Sequence, residues 1–112
     1  MNNPSKRKGD AAELEAARIL ADVTGHPIRR KLGAGRTDDE GDIEGLPDTT
    51  IEVKNYRDIA AAVNAGLADA IREQANAGTT FGAAMIRRPG GRWFIAMTVE
   101  QFAAFHREAT TA

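Results

Sequence analysis

Glycine and proline cut this chain into short pieces, and that punctuation limits its fold more than any other feature. Gly25 with Pro27, the Gly33-Ala34-Gly35 run, Leu46-Pro47-Asp48, Gly78 and Pro89-Gly90-Gly91 all fall between apolar stretches, where turns and helix ends belong. From Gly9 onward Ala12, Ala16, Ile19, Leu20 and Val23 recur at helical spacing, which predicts a first helix ending at Gly25. Residues 1 to 8, polar and basic with Pro4, read as a flexible arm. Ile28 to Leu32 is a strand candidate, and Asp42 to Gly45 with Thr49 to Asn55 form a predicted antiparallel hairpin about the turn at 46–48. Asp58 is placed to N-cap a second helix that runs to about Ala77, with Ile59, Val63, Leu67, Ala70 and Ile71 as its apolar stripe and Gly78 as its stop. Phe81 to Ile86 and Arg92 to Met97 are strands, and Thr98 with Gln101 is a capping box that opens a last helix through about His106. The order is α-β-β-β-α-β-β-α, an α/β fold with one mixed sheet covered by helices. It fills a single domain over residues 9–108, followed by a tail at 109–112.

With 112 residues, 42% of them hydrophobic, the chain has the material for one core and too little for two. Its longest apolar stretches fall far short of the roughly 20 residues that cross a bilayer, and its beginning lacks the apolar core of a signal peptide. A soluble, cytoplasmic protein is therefore expected. There is no cysteine, which excludes disulfides and thiolate zinc sites. His26 and His106 stand far apart without ligand spacing. Any metal would have to be held by oxygen.

The net charge of −1 hides a segregation. Residues 1–37 carry eight Lys/Arg against four acids, or +4, and residues 38–112 carry seven against twelve, or −5. Basic clusters occur at Lys6-Arg7-Lys8, at Arg29-Arg30-Lys31 with Arg36, and at Arg87-Arg88 with Arg92, while eight acids crowd positions 38–58. Phosphate contacts depend on such local clusters more than on the total, although each could also be a solvated surface.

One stretch carries chemistry. In Ile51-Glu52-Val53-Lys54 the strand alternation sends Ile51 and Val53 to one face and Glu52 with Lys54 to the other, about 7 Å apart. Asp42, ten positions before Glu52, is brought level with it by the hairpin. Two converging carboxylates repel unless a divalent cation lies between them. The constellation thus reads as a magnesium site held by Asp42 and Glu52, with the Val53 carbonyl as a further oxygen ligand. Lys54 is left free to help deprotonate the attacking water and to stabilise charge on a phosphate.

Gly41-Asp42 followed by Ile51-Glu52-Val53-Lys54 resembles the D...(D/E)xK signature of the PD-(D/E)XK nuclease superfamily. Arg7-Lys8-Gly9 with Glu13, the Gly33-Ala34-Gly35 loop after a basic strand, and Arg92-Trp93-Phe94 are similar to the small archaeal-type Holliday junction resolvases and their phage relatives. The resemblance covers roughly residues 6–97. It implies a restriction-endonuclease-like fold and a homodimeric, Mg2+-dependent endonuclease, with Mn2+ able to substitute. Branched or duplex DNA is the implied partner, and cleavage leaves 3′-hydroxyl and 5′-phosphate ends. It also implies Asp42 and Glu52 as metal ligands, Lys54 as the catalytic lysine, and Glu13 as the helix-borne acid that completes the metal shell. Helical periodicity alone does not choose between Glu13 and Glu15; the spacing from Arg7-Lys8-Gly9 favours Glu13. Gly41 stands where the signature has proline, and Asp38 or Asp39 could take the place of Asp42.

Candidate DNA contacts are Lys6, Arg7, Lys8, Arg29, Arg30, Lys31, Arg36, Thr37 and Arg57, with Tyr56 and Asn55 beside them. Gln74 reads as an ordinary solvated residue. Trp93, Phe94 and Phe81 read as core or dimer surface, and exposed Leu14 joins Trp93 as a candidate dimer contact. Rival readings are another nuclease of the same fold, such as a repair nickase or restriction-like enzyme, a non-catalytic DNA-binding module, and a protein-interaction domain with an acidic hairpin.

Overall fold

The computed structural model of the protein describes residues 4–31 and 41–111, with side chains from Lys8 onward. The expected contacts at Lys6, Arg7, Arg36 and Thr37, the glycine loop at 33–35 and the alternative ligands Asp38 and Asp39 lie outside the described side chains.

Eight elements follow the expected order: α1 Pro4–Thr24, β1 Arg29–Arg30, β2 Ile43–Glu44, β3 Thr49–Lys54, α2 Ile59–Ala77, β4 Phe81–Arg88, β5 Arg92–Ala96 and α3 Val99–Thr110. They build a five-stranded sheet in the order β1-β2-β3-β4-β5. β3 and β4 run parallel, with Glu52 beside Ala84 and Lys54 beside Ile86, and every other pair is antiparallel. α1 begins at Pro4, five residues before the expected start at Gly9, so most of the supposed arm is helix. Proline suits a first helical position because the N–H it lacks would have no intrahelical partner there. Asp58 caps α2 by accepting from the Ala61 N–H, and Gly78 ends that helix at φ +72°. Thr98 caps α3 through the Gln101 N–H. Gln101 does not complete a capping box: its side chain accepts from the Gly82 N–H and donates to Gln74.

Both faces of the sheet are covered. On one, Ala12, Ala16, Ala17 and Leu20 of α1 pack on Ile43, Ile51, Val53, Ala83 and Met85. On the other, Ala62 of α2 meets Ala84 and Ile86, with Val63 and Phe94 at the margin. The buried stripe of α2 is Ala62, Gly66, Ala70 and Glu73, rotated from the expected Ile59-Val63-Leu67-Ala70-Ile71, and Ile71 is 52% exposed. The rotation has a steric cause. At Gly66 even a methyl group would lie 2.8 Å from Cβ of Ala84, so the small residues let the helix lie close against β4 where the aliphatic stripe could not. α3 sits at the opposite end of the sheet, where Phe105 stacks on Phe81 with ring centroids 4.2 Å apart.

Candidate active site

The β2–β3 hairpin pairs Ile43 with Ile51, which sets Asp42 beside the C-terminal half of β3. Its N–H donates to the Ile51 carbonyl at 2.9 Å, and its Oδ2 accepts from the Val53 N–H at 2.8 Å. Glycine is required at position 41, where the chain turns into β2. At φ +107° a Cβ would stand 2.9 Å from Cγ2 of Thr50 and 3.1 Å from the Ile51 carbonyl oxygen. Proline, fixed near φ −65°, could not take its place. In a strand the N–H and C=O of one residue point to the same side, so the Val53 carbonyl also turns toward Asp42.

Asp42, Glu52, Val53 and Lys54 share a cleft of about 650 Å³ with Lys8 and Glu13 of α1, with Asn55, Tyr56 and Arg57 beyond β3, and with Asp69, Arg72 and Glu73 of α2. Glu52 is 5% exposed, as buried as its aliphatic neighbours, and Asp42 and Glu73 are equally withdrawn from water. The face of β3 that bears Glu52 and Lys54 is therefore an interior surface under α2, open only at its end. Oε2 of Glu52 meets no hydrogen-bond donor among the described residues. Burial is the main cause that pushes the Glu52 carboxyl up to about 8; the Glu73 carboxyl adds to the rise, while a hydrogen bond with Asp42 and the charge of Lys54 oppose it. Three carboxyls packed this way are satisfied only by a shared proton or a cation.

Lys54, expected to be left free by the carboxylates, is held by one of them. Its Nζ donates to Oδ2 of Asp69 at 2.7 Å and stands 3.5 Å from Oε1 of Glu52, with the Tyr56 ring 5.7 Å away. Burial disfavours its charge, but the hydrogen bond to Asp69 and the charges of Glu52 and Asp69 outweigh that effect and raise its pKa. Lys54 is a fixed cation. Arg72 anchors Asp69 from the far side at 3.0 Å.

Glu13 rather than Glu15 faces the cleft. Its carboxyl is raised first by burial and further by the charge of Asp42, against the hydrogen bond from Arg30. Glu15 instead accepts the Trp93 indole N–H at 2.8 Å and lies 3.4 Å from Arg87. Trp93 is thus a half-buried strut against the core, and its role as a dimer contact recedes. Arg30 also departs from expectation. Its guanidinium is held by Asp10 at 2.6 Å and Glu13 at 2.7 Å, so it ties β1 to α1 instead of facing a phosphate. Arg29 pairs at 3.3 Å with Glu44 on the surface, and the Lys31 N–H donates to the Asp42 carbonyl at 2.8 Å. Gln74 is not merely solvated: it donates to the Thr79 and Thr80 carbonyls and accepts from Gln101, tying α2 to α3.

Sequence reasoning missed Glu73 and Asp69. The signal was the run Ala62-Gly66-Ala70, which at i, i+4 and i+8 carries Glu73 onto the same buried face. Among the described residues no group of three or more acidic or histidine side chains stands ready to hold a metal ion. Carboxylate oxygens and a backbone carbonyl are nevertheless the donor types that a hard cation takes, and they line a recess in which Oε2 of Glu52 lacks a donor among the described residues. Among the described residues no helix is long and apolar enough to cross a membrane. Comparison of the chain with protein-family models, curated proteins and solved structures found no match.

Proposed function

We propose that the protein is a divalent-metal-dependent endonuclease of the restriction-endonuclease-like type that acts on branched DNA as a Holliday junction resolvase. The observation that carries this reading is the buried Glu52 carboxyl, short of a donor on Oε2 and facing Asp42 and Glu73. A cation would satisfy what the chain's own donors do not. Asp42, Glu52 and the Val53 carbonyl would hold it, with Glu13 at the rim. Mg2+ in such a site supplies Lewis acidity and neutralises negative charge. The chain does the rest: Lys54, fixed by Asp69, holds positive charge beside the phosphate that is attacked, and α2 excludes water from behind the carboxylates. The five-stranded mixed sheet with helices on both faces is compatible with that fold. Two strands of a junction must be cut, so the working unit in this reading is a homodimer.

A synthetic four-way junction incubated with Mg2+, and separately with chelator, tests the reading. Paired nicks are expected only with metal, and Asp42→Asn or Glu52→Gln should slow them at least roughly 100-fold. Wild-type rates in both variants, or no cleavage of any DNA with Mg2+ or Mn2+, would sink it. Cleavage of plain duplex at the same rate as the junction would favour a restriction-like or nicking enzyme instead.

A further inference from the structure

We infer that a second, basic cleft beside the carboxylate cleft seats a neighbouring backbone phosphate of the nucleic acid. This cleft, of about 460 Å³, is lined by Lys8 of α1, Asn55, Tyr56 and Arg57 between β3 and α2, and Arg87 and Arg88 at the end of β4. Four cations from three distant parts of the chain converge, and among the described residues no carboxylate is in the lining. Arg87 is partly compensated, with Nε 3.4 Å from the Glu15 carboxylate. Among the described residues Lys8, Arg57 and Arg88 form no ion pair. Like charges brought together repel, and an anion seated among them relieves that repulsion. The exposed Tyr56 phenol and the Asn55 amide add neutral donors for phosphate oxygens.

The two clefts share Lys8, Asn55, Tyr56 and Arg57, so an anion in the basic cleft lies in one groove with the carboxylates. That continuity suits a polymer of phosphates better than a free ion. It also divides the work. The first cleft sets five carboxylates against four cations, whereas the described lining of the basic cleft is cationic and neutral, so grip on a phosphate without metal falls to the basic cleft. The identity of the anion rests on the nuclease reading; the presence of the anion site does not.

Anisotropy of a labelled four-way junction, titrated with the protein in chelator over a range of KCl concentrations, tests this. Arg57→Gln and Arg88→Gln lie on the surface and should each reduce the slope of log K against log salt by about 1, while Arg107→Gln on α3 leaves it unchanged. Unchanged slopes in both cleft variants, or no junction binding by the wild type at low salt, would overturn the inference. Millimolar inorganic phosphate should compete no better than chloride at equal ionic strength. Stronger competition that vanishes in Arg88→Gln would mean a free-phosphate site and would overturn the polymer assignment. Lowered slopes in both cleft variants, together with a wild type that never cleaves with Mg2+, would sink only the nuclease reading.

Discussion

Glu52 lies on β3 between Ile51 and Val53, and the three side chains are almost equally hidden from water. An aliphatic residue there costs nothing to bury, whereas a carboxylate must lose its charge or find a counter-charge. Lys54 is the obvious counter-charge, yet its closer partner is Asp69, at 2.7 Å against 3.5 Å for Glu52. Without metal, Glu52 therefore keeps its proton to about 8, where the unfolded chain releases it near 4.5. Between those values the folded chain holds a proton that the unfolded chain has lost, so stability falls as pH rises through that window and levels above it. The loss should be on the order of 2–4 kcal/mol. Glu52→Gln keeps the shape and removes the ionisation. In metal-free urea unfolding it should match the wild type near pH 4 and exceed it in stability at pH 8. A wild type whose stability is flat from pH 5 to 8 would refute this account.

At the level of elements, α2 decides what surrounds that carboxyl. Gly66 lets the helix approach β4 so closely that Glu73 and Asp69 reach Glu52 and Lys54. Gly66→Ala gains about 1 kcal/mol of helix propensity. Its new methyl must nevertheless clear the Ala84 Cβ at 2.8 Å, and Ala84 is a short, rigid neighbour. Overpacking of this kind costs roughly 1–3 kcal/mol, so a net destabilisation of about 1 kcal/mol is expected by urea titration and, on the proposed nuclease reading, slower cleavage because α2 is displaced. A variant that is more stable than the wild type and cleaves at full rate would refute it. The same helix shows where sequence reading stops. The element order, the Asp58 and Thr98 caps, the Gly78 stop and the antiparallel β2–β3 hairpin were all legible, because each depends on local turn chemistry or strand alternation. The convergence of Asp42 on Glu52 was legible too, through hairpin length. The orientation of α2 was not, because the largest apolar residues suggest a stripe while close packing on β4 selects the smallest. Glu73 was hidden by the same substitution of one face for another. The fate of Arg30 was equally hidden, since its partners Asp10 and Glu13 lie about 20 positions away on α1.

Across the whole molecule the carboxylate cleft and the basic cleft lie side by side, so a near-zero net charge coexists with a local cluster of cations next to a cluster of acids. On the proposed reading a cation held in the first cleft would couple the two: it would replace the proton on Glu52, relieve the buried charge that destabilises the fold at high pH, and add positive charge on the side of the groove nearest the basic cleft. Binding to the folded state alone stabilises by RT ln(1 + [L]/Kd), about 2.7 kcal/mol at a hundredfold excess over Kd. For a domain of this size that shifts Tm by roughly 10 °C or more. Because the proton must leave, the gain should be larger at pH 8 than at pH 6, where protons compete with the metal. Thermal melts at increasing MgCl2, with NaCl adjusted to constant ionic strength, measure this. The wild type should respond more strongly at pH 8, while Glu52→Gln, already relieved of its charge, should respond little at either pH. Equal Mg2+ shifts in the two proteins would mean that the cation binds elsewhere, and the carboxylates of β3 would then be a structural proton-sharing cluster.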